Sequence, residues 1–170
     1  TNPINKYGMM KAEMEKNILE EESSICVLRI PKVVSTYQMK QNVFTEWMKQ
    51  KEIGYVRCIK GNYISFVSIE DIYQVCLIVA ENKMHGLYNI VGDKSYSRSE
   101  LAYKFFSIMG ITEVAIKEDS LEKFSLKDKR PLDVSMSNLK FKNETNYHFM
   151  AMDDVIIQFN GNVKGSSVWR

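Results

Sequence analysis

The stretch Ile25-Cys26-Val27-Leu28-Arg29-Ile30, closed by Pro31, constrains the fold more than any other part of the chain. Its apolar residues fall in both alternation phases, so neither face of a strand built from it is left for water. Strands buried on both faces belong to parallel sheets covered by helices, and a following proline, which cannot donate to a ladder, marks the end. Leu87-Tyr88-Asn89-Ile90-Val91, with Gly92 as its exit, repeats the pattern. Parallel neighbours need long crossover connections, usually helical. The class that follows is α/β.

Helical spacing fills the intervals. Ile4 to about Glu22 carries Ile4, Tyr7, Met10 or Lys11, Met14 and Ile18 three or four apart, with Pro3 in the first turn. Lys40 to Lys51 places Val43, Phe44, Trp47 and Met48 on one stripe, which reads as core. Gly54 to Ile59 and Tyr63 to Val67, separated by Gly61-Asn62, read as a hairpin or as two short strands. Ser68-Ile69-Glu70-Asp71 starts a helix whose Ile72, Val75, Cys76 and Val79 face inward until Gly86. Ser97-Arg98-Ser99-Glu100 is a capping box before Leu101, Ala102, Phe105, Phe106 and Met109, closed by Gly110. Val114 to Lys117 reads as a strand, Asp119 to Phe124 and Met152 to Phe159 as short helices, and Gly161 to Arg170 as a polar tail mobile at its end. No repeat or linker interrupts this order, so residues 1–170 form a single domain.

Composition closes off several function classes. With 45% hydrophobic and 26% charged residues the chain is of ordinary globular make-up. A net charge of +2, from interspersed Lys and Glu, gives no basic stripe for nucleic acid. The three cysteines, Cys26, Cys58 and Cys76, are odd in number and each lies in an apolar run, which predicts buried free thiols in a reducing compartment. Two histidines without ligand spacing argue against a metal site. No apolar run approaches the eighteen or so residues that span a bilayer, and no signal-peptide pattern is present, so a cytoplasmic protein is expected.

The chemistry of the sequence centres on Tyr7 and Lys11. Four apart on a helix they share a face, where an ammonium beside a phenol favours its ionised form and makes an acid/base group of it. Spacing alone is unspecific: with nine tyrosines in the chain, roughly one Tyr-x-x-x-Lys is expected by chance, and an exposed lysine beside a half-buried tyrosine is the bland alternative.

The flanking residues add specificity. Asn2-Pro3-Ile4-Asn5-Lys6-Tyr7-Gly8-Met9-Met10-Lys11-Ala12-Glu13-Met14-Glu15 resembles the active-site helix of the extended short-chain dehydrogenases/reductases, the NAD-dependent epimerase/dehydratase superfamily, and most closely its dTDP-4-dehydrorhamnose reductase-like branch. The order of later segments is similar to the family's too: Leu28-Arg29-Ile30-Pro31, Val67-Ser68-Ile69-Glu70-Asp71, Tyr88-Asn89-Ile90-Val91-Gly92 and Arg130-Pro131. The resemblance implies the carboxy-terminal part of a Rossmann-like doubly wound parallel sheet plus the small substrate-binding lobe. It implies NADP or NAD as cofactor and a nucleotide sugar as substrate, with Tyr7 as proton donor and Lys11 holding the nicotinamide ribose. Ile30, Pro31 and Val33 would lie beside the carboxamide. Tyr37, Asn42, Arg57 and Arg130 become substrate-pocket candidates, with surface ion pairs the alternative for the two arginines; Arg130 is preferred for the diphosphate or sugar because guanidinium forks suit oxyanions.

The sequence also departs from the family. It contains no Gly-x-x-Gly-x-x-Gly turn and, before Tyr7, no Ser or Thr in position to polarise a carbonyl, so the chain is expected to be a piece of a longer protein and inactive alone. Its strand edges and the inner face of the Tyr7 helix are then expected to be uncovered, with a homodimer as one outcome. Two other readings stand beside this one: a non-catalytic binding or regulatory subunit that kept the fold, and an unrelated α/β interaction domain.

Overall fold

Asn5 turns its side chain back to accept the Gly8 amide at 2.8 Å, and helix α1 (Lys6–Glu21) begins there. The computed structural model describes residues 2–38, 42–126 and 128–165. From α1 the chain enters strand β1 (Cys26–Arg29), then β2 (Lys32–Val34). Helix α2 (Val43–Lys51) is capped by Asn42; Lys40, where the sequence pattern begins this helix, lies outside the described residues. Strands β3 (Tyr55–Ile59) and β4 (Tyr63–Ser68) lead into α3 (Ile69–Glu81). Strands β5 (Gly86–Asn89) and β6 (Ser95–Ser97), helix α4 (Arg98–Met109) and strand β7 (Ala115–Asp119) follow. A 3-10 turn at Leu121–Lys123, strand β8 (Asp133–Val134), α5 (Leu139–Thr145) and α6 (Met152–Gly165) complete the order.

Parallel pairing dominates, as the two apolar runs imply. β1 lies parallel to β5 with Leu28 opposite Tyr88. β4 is the hub of a second sheet: its later half pairs parallel with β2, its earlier half parallel with β8 and, on the other edge, antiparallel with β6. β3 pairs parallel with β7. Of the two readings of the 54–67 stretch, the hairpin is therefore overturned and two separate strands remain. Gly61, at φ 69°, does turn the chain between them, but β3 and β4 leave the turn into different sheets.

Two apolar cores sit against these sheets. Phe44 and Trp47 of α2, Phe105 of α4 and Phe159 of α6 build the first, with Phe44 and Phe105 stacked at 4.9 Å. The second joins Val67, Val75, Tyr88, Ile90, Phe141 and Phe149. The capping box predicted at Ser97 is present in full, and Gly110 closes α4 at φ 71°.

Three expectations need correction. Cys76 does not face inward: it is exposed on α3 and Cys26 is only partly covered, which leaves Cys58 as the one buried thiol. α3 buries the face carrying Asp71 and Val75, and Cys76 lies one residue round from it. The polar tail is helical as far as Gly165, because α6 continues along the first core and places Phe159 and Val163 against it; 166–170 lie outside the described residues. β1 is not covered on both faces: its four residues are only half-buried, with Ile25 and Ile30 exposed at its ends, while β5 as its single strand partner among the described residues leaves an open edge, as expected.

Candidate active site

Helix α1 presents two unlike faces. Asn5, Gly8, Ala12, Glu15, Ile18 and Leu19 are partly covered, while Ile4, Tyr7, Met10, Lys11 and Met14 point outward, and no residue of the helix is fully buried. Gly8 leaves room for Pro3 and Asn5 at the first turn, and polar side chains tie the helix to the rest of the chain. The Arg29 guanidinium forks onto Glu15, with Nε to Oε2 at 2.8 Å and Nη2 to Oε1 at 2.5 Å, joining α1 to β1. Asn5 Nδ2 donates to the Lys129 carbonyl at 2.9 Å, joining the start of α1 to the chain just before Arg130.

Tyr7 is 65% exposed, and the Lys11 ammonium stands 5.8 Å from its ring centroid. The hydroxyl and the ammonium make no hydrogen bond or ion pair with other described residues.

The segment from Lys129 to Asn138 crosses the ends of β4 and β5 as a strap. Asn62 Nδ2 and the Tyr63 amide both donate to the Leu132 carbonyl, at 2.9 and 2.7 Å. The Met136 amide donates to Ser65 Oγ, Asn89 Nδ2 donates to the Ser137 carbonyl, and Asn138 Nδ2 reaches the Val91 carbonyl and Asp93. Lys142 and then Asn138, by hydrogen bonding, hold the Asp93 carboxyl below the usual carboxylate range. Arg130 sits near the start of this strap, exposed, and forms no ion pair or hydrogen bond with another described residue.

The remaining candidates divide. Ile30 and Pro31 follow the end of β1, and Val33 lies in β2 opposite Val67. Tyr37 is exposed on the rim of a recess of about 530 Å³ shared with Tyr73 and Tyr147. Asn42 is buried and fully engaged: Nδ2 donates to the Ser35 and Tyr37 carbonyls and Oδ1 accepts from Phe44 N, so it supports the chain behind Tyr37 instead of facing a ligand. Arg57 is committed to Asp119 at 2.9 Å and lies over the Phe124 ring, at β3 in a different sheet from β1. The alternative of an ordinary ion pair describes Arg57 better than a pocket role.

Sequence reasoning missed Asn5, Glu15 and the asparagines that pin the strap, Asn62, Asn89 and Asn138. Asn5 carried a signal, a capping residue directly before a helical pattern. The others bond to partners far along the chain, which no local pattern reveals. A larger recess, about 720 Å³, opens at the amino end of β5 among His85, Tyr88, Lys140 and Glu144 and contains none of the candidates. There the Tyr88 hydroxyl donates to Glu144 at 2.5 Å, and that bond, with burial, pushes the phenol up to about 12. Among the described residues no cluster of three or more His, Cys, Asp or Glu could hold a metal, and no helix is long and apolar enough to cross a membrane.

A family model described as RmlD substrate binding domain matches residues 1–159. No curated protein matches the chain significantly. Among solved structures, the chain is similar to a dTDP-4-dehydrorhamnose reductase from Clostridium acetobutylicum, with TM-score 0.84 and 18% identity over 96% of this chain and 57% of that one. It is also similar to the Bacillus anthracis dTDP-4-dehydrorhamnose reductase in complex with NADP, with TM-score 0.81 and 19% identity over 93% and 56%. The Yersinia enterocolitica dTDP-4-dehydrorhamnose reductase gives TM-score 0.81 and 12% identity over 95% and 57%. The chain thus spans little more than half the length of these relatives, and shares their fold.

Proposed function

The chain belongs to the RmlD substrate binding domain family, and from that premise we propose that it is the carboxy-terminal portion of an NAD(P)-dependent nucleotide-sugar reductase, supplying the proton donor and part of the sugar-nucleotide site. The observation that carries this reading is the pair on α1: Tyr7 and Lys11 are exposed, adjacent at 5.8 Å and uncommitted to other described residues, on a helix tethered to the strap that carries Arg130. Other Tyr–cation contacts exist, such as Lys117 over Tyr55 and Lys140 over Tyr88. The Tyr88 hydroxyl, though, is spent on Glu144.

The residues present fit the nicotinamide end of the cofactor. Lys11 Nζ and Tyr7 Oη are free to take ribose hydroxyls, and the backbone at Ile30, Pro31 and Val33 is the expected neighbour of the carboxamide. When bound, the cofactor supplies a hydride to the sugar carbonyl. Tyr7 Oη gives its proton to the oxygen that becomes the alcohol, and the Lys11 ammonium offers positive charge to the phenolate left behind. Arg130 takes the diphosphate, where a planar fork meets two oxyanions at once. Tyr37 lines the sugar side. Work in carbohydrate biosynthesis in the cytoplasm goes with this reading.

The test is Tyr7→Phe in the full-length protein that carries this chain. Turnover should fall at least a hundredfold while cofactor affinity stays within a factor of three, because only the proton is removed. Wild-type turnover by Tyr7→Phe would overturn the reading in favour of a non-catalytic subunit.

A further inference from the structure

We propose that Asn5 is a positioning residue that couples the Arg130 strap to the Tyr7 helix, so that a ligand held at Arg130 is felt at the catalytic helix; this rests on the reading of Tyr7 and Arg130 given above. The two ends of one carboxamide face different elements. Oδ1 accepts the Gly8 amide at 2.8 Å and fixes the first turn of α1, while Nδ2 donates to the Lys129 carbonyl at 2.9 Å. A carboxamide is rigid and planar, with acceptor and donor on one carbon. Movement of the Lys129 carbonyl is therefore passed directly to the helix cap.

The surroundings make this tether matter. α1 has no fully buried residue, so packing does not settle its orientation; the Glu15–Arg29 fork holds its middle, and Asn5 ties its start to the strap. Gly8 leaves little slack, since a Cβ there would lie 3.0 Å from Pro3 Cβ and 3.2 Å from Asn5 Oδ1. On the strap, Arg130-Pro131 spans two pinned carbonyls: Lys129, held by Asn5, and Leu132, held by Asn62 and the Tyr63 amide. Pro131 locks its own φ, which further stiffens the span. An anion that draws in Arg130 thus pulls against one anchor in the β-sheet and one on α1, and the second is a single side-chain bond to a helix with no fully buried residue.

Capping and coupling can be separated. Asn5→Asp keeps the acceptor for Gly8 and ranks with Asn as a helix cap, but has no donor for Lys129; Asn5→Ser caps comparably without adding charge and is too short for the second bond. The experiment is NMR of the isotope-labelled full-length protein that carries this chain, titrated with thymidine diphosphate and read at the Arg130 Nε and Gly8 amide signals, with thermal unfolding run in parallel. In the wild type both signals should shift along one saturation curve. In Asn5→Asp and Asn5→Ser the Arg130 shift should persist, the Gly8 shift should be lost, and Tm should stay within a few degrees. A Gly8 shift that survives in both variants would overturn the coupling while leaving the functional reading intact. An Arg130 signal that ignores thymidine diphosphate in the wild type would overturn the Arg130 reading and the coupling with it.

Discussion

Cys58, Cys26 and Cys76 sit at three depths, and thiol chemistry should rank them. Cys58 is fully buried in β3, and burial pushes its thiol up to about 11. Cys26 is partly covered and raised from its ordinary value, chiefly by desolvation, while Cys76 is exposed on α3. Iodoacetamide at pH 8 should therefore modify Cys76 first, Cys26 more slowly and Cys58 only on unfolding; mass spectrometry of timed samples checks the order, and early labelling of Cys58 would contradict it. The same shift fixes a pH dependence. An unfolded thiol loses its proton near 9 and the folded one near 11, so the stabilisation is complete below about pH 9 and is lost as pH rises through 11. Denaturation midpoints should fall across that window. At this scale the adjacency of Tyr7 and Lys11 was legible in the sequence, because a helix puts positions four apart on one face. It did not show which cysteine is buried, since the 75–80 run is apolar all round and the inward face is chosen by what packs against it.

Helix α3 shows how elements are joined by single polar groups. Asp71 is buried in its first turn and accepts from Ser68 Oγ at 2.7 Å, from Tyr147 Oη at 2.7 Å and from the Met150 amide at 3.1 Å. One carboxylate thus ties α3 to the segment that leads into α6. Asp71→Ala would leave the Tyr147 hydroxyl and the Met150 amide without that acceptor and should cost about 3 kcal/mol. Tyr147→Phe removes one bond of the set and should cost about 1 kcal/mol. Urea midpoints of the two variants should keep that order, and equal losses would mean that Asp71 acts through Tyr147 alone. The elements themselves were legible: the 3.6-residue period of α4 with its Ser97 box, and the doubly apolar runs of β1 and β5, each carry their own evidence. Partners were not. The Gly61-Asn62 turn looks the same whether the flanking strands pair with each other or with β7 and β2, because the pairing is decided by residues more than thirty positions away. α1 posed a related problem. Its Ile4-Tyr7-Met14 spacing announces a helix, but the partly covered face is the one with Asn5, Gly8, Ala12 and Glu15, held by two polar tethers and not by apolar area.

The whole chain sets a limit on what it binds by itself. Pyrophosphate groups of dinucleotides sit at helix amino termini, on free backbone amides reached through a glycine-rich turn. No such turn occurs in the sequence, and the first turns of the longer helices are ill suited to a phosphate. Glu46 stands in that of α2, Glu70 and Asp71 in α3, Glu100 in α4, and Asp153 and Asp154 in α6. α1 carries no acidic residue there, but its Gly8 amide is taken by Asn5. On the proposed reading Lys11 and Tyr7 would meet the ribose, while the first turns of these helices offer the pyrophosphate charge no counterpart. Calorimetric titration of this chain with NADPH should accordingly show no binding in the micromolar range, whereas the full-length protein should bind it. Lys11→Met in the full-length protein should weaken that binding severalfold if Lys11 is the proposed ribose donor, since the pyrophosphate contacts would remain. Micromolar affinity of the 170-residue chain alone would mean that the dinucleotide is held by residues within it, and that the carboxy-terminal assignment of its parallel strands is wrong.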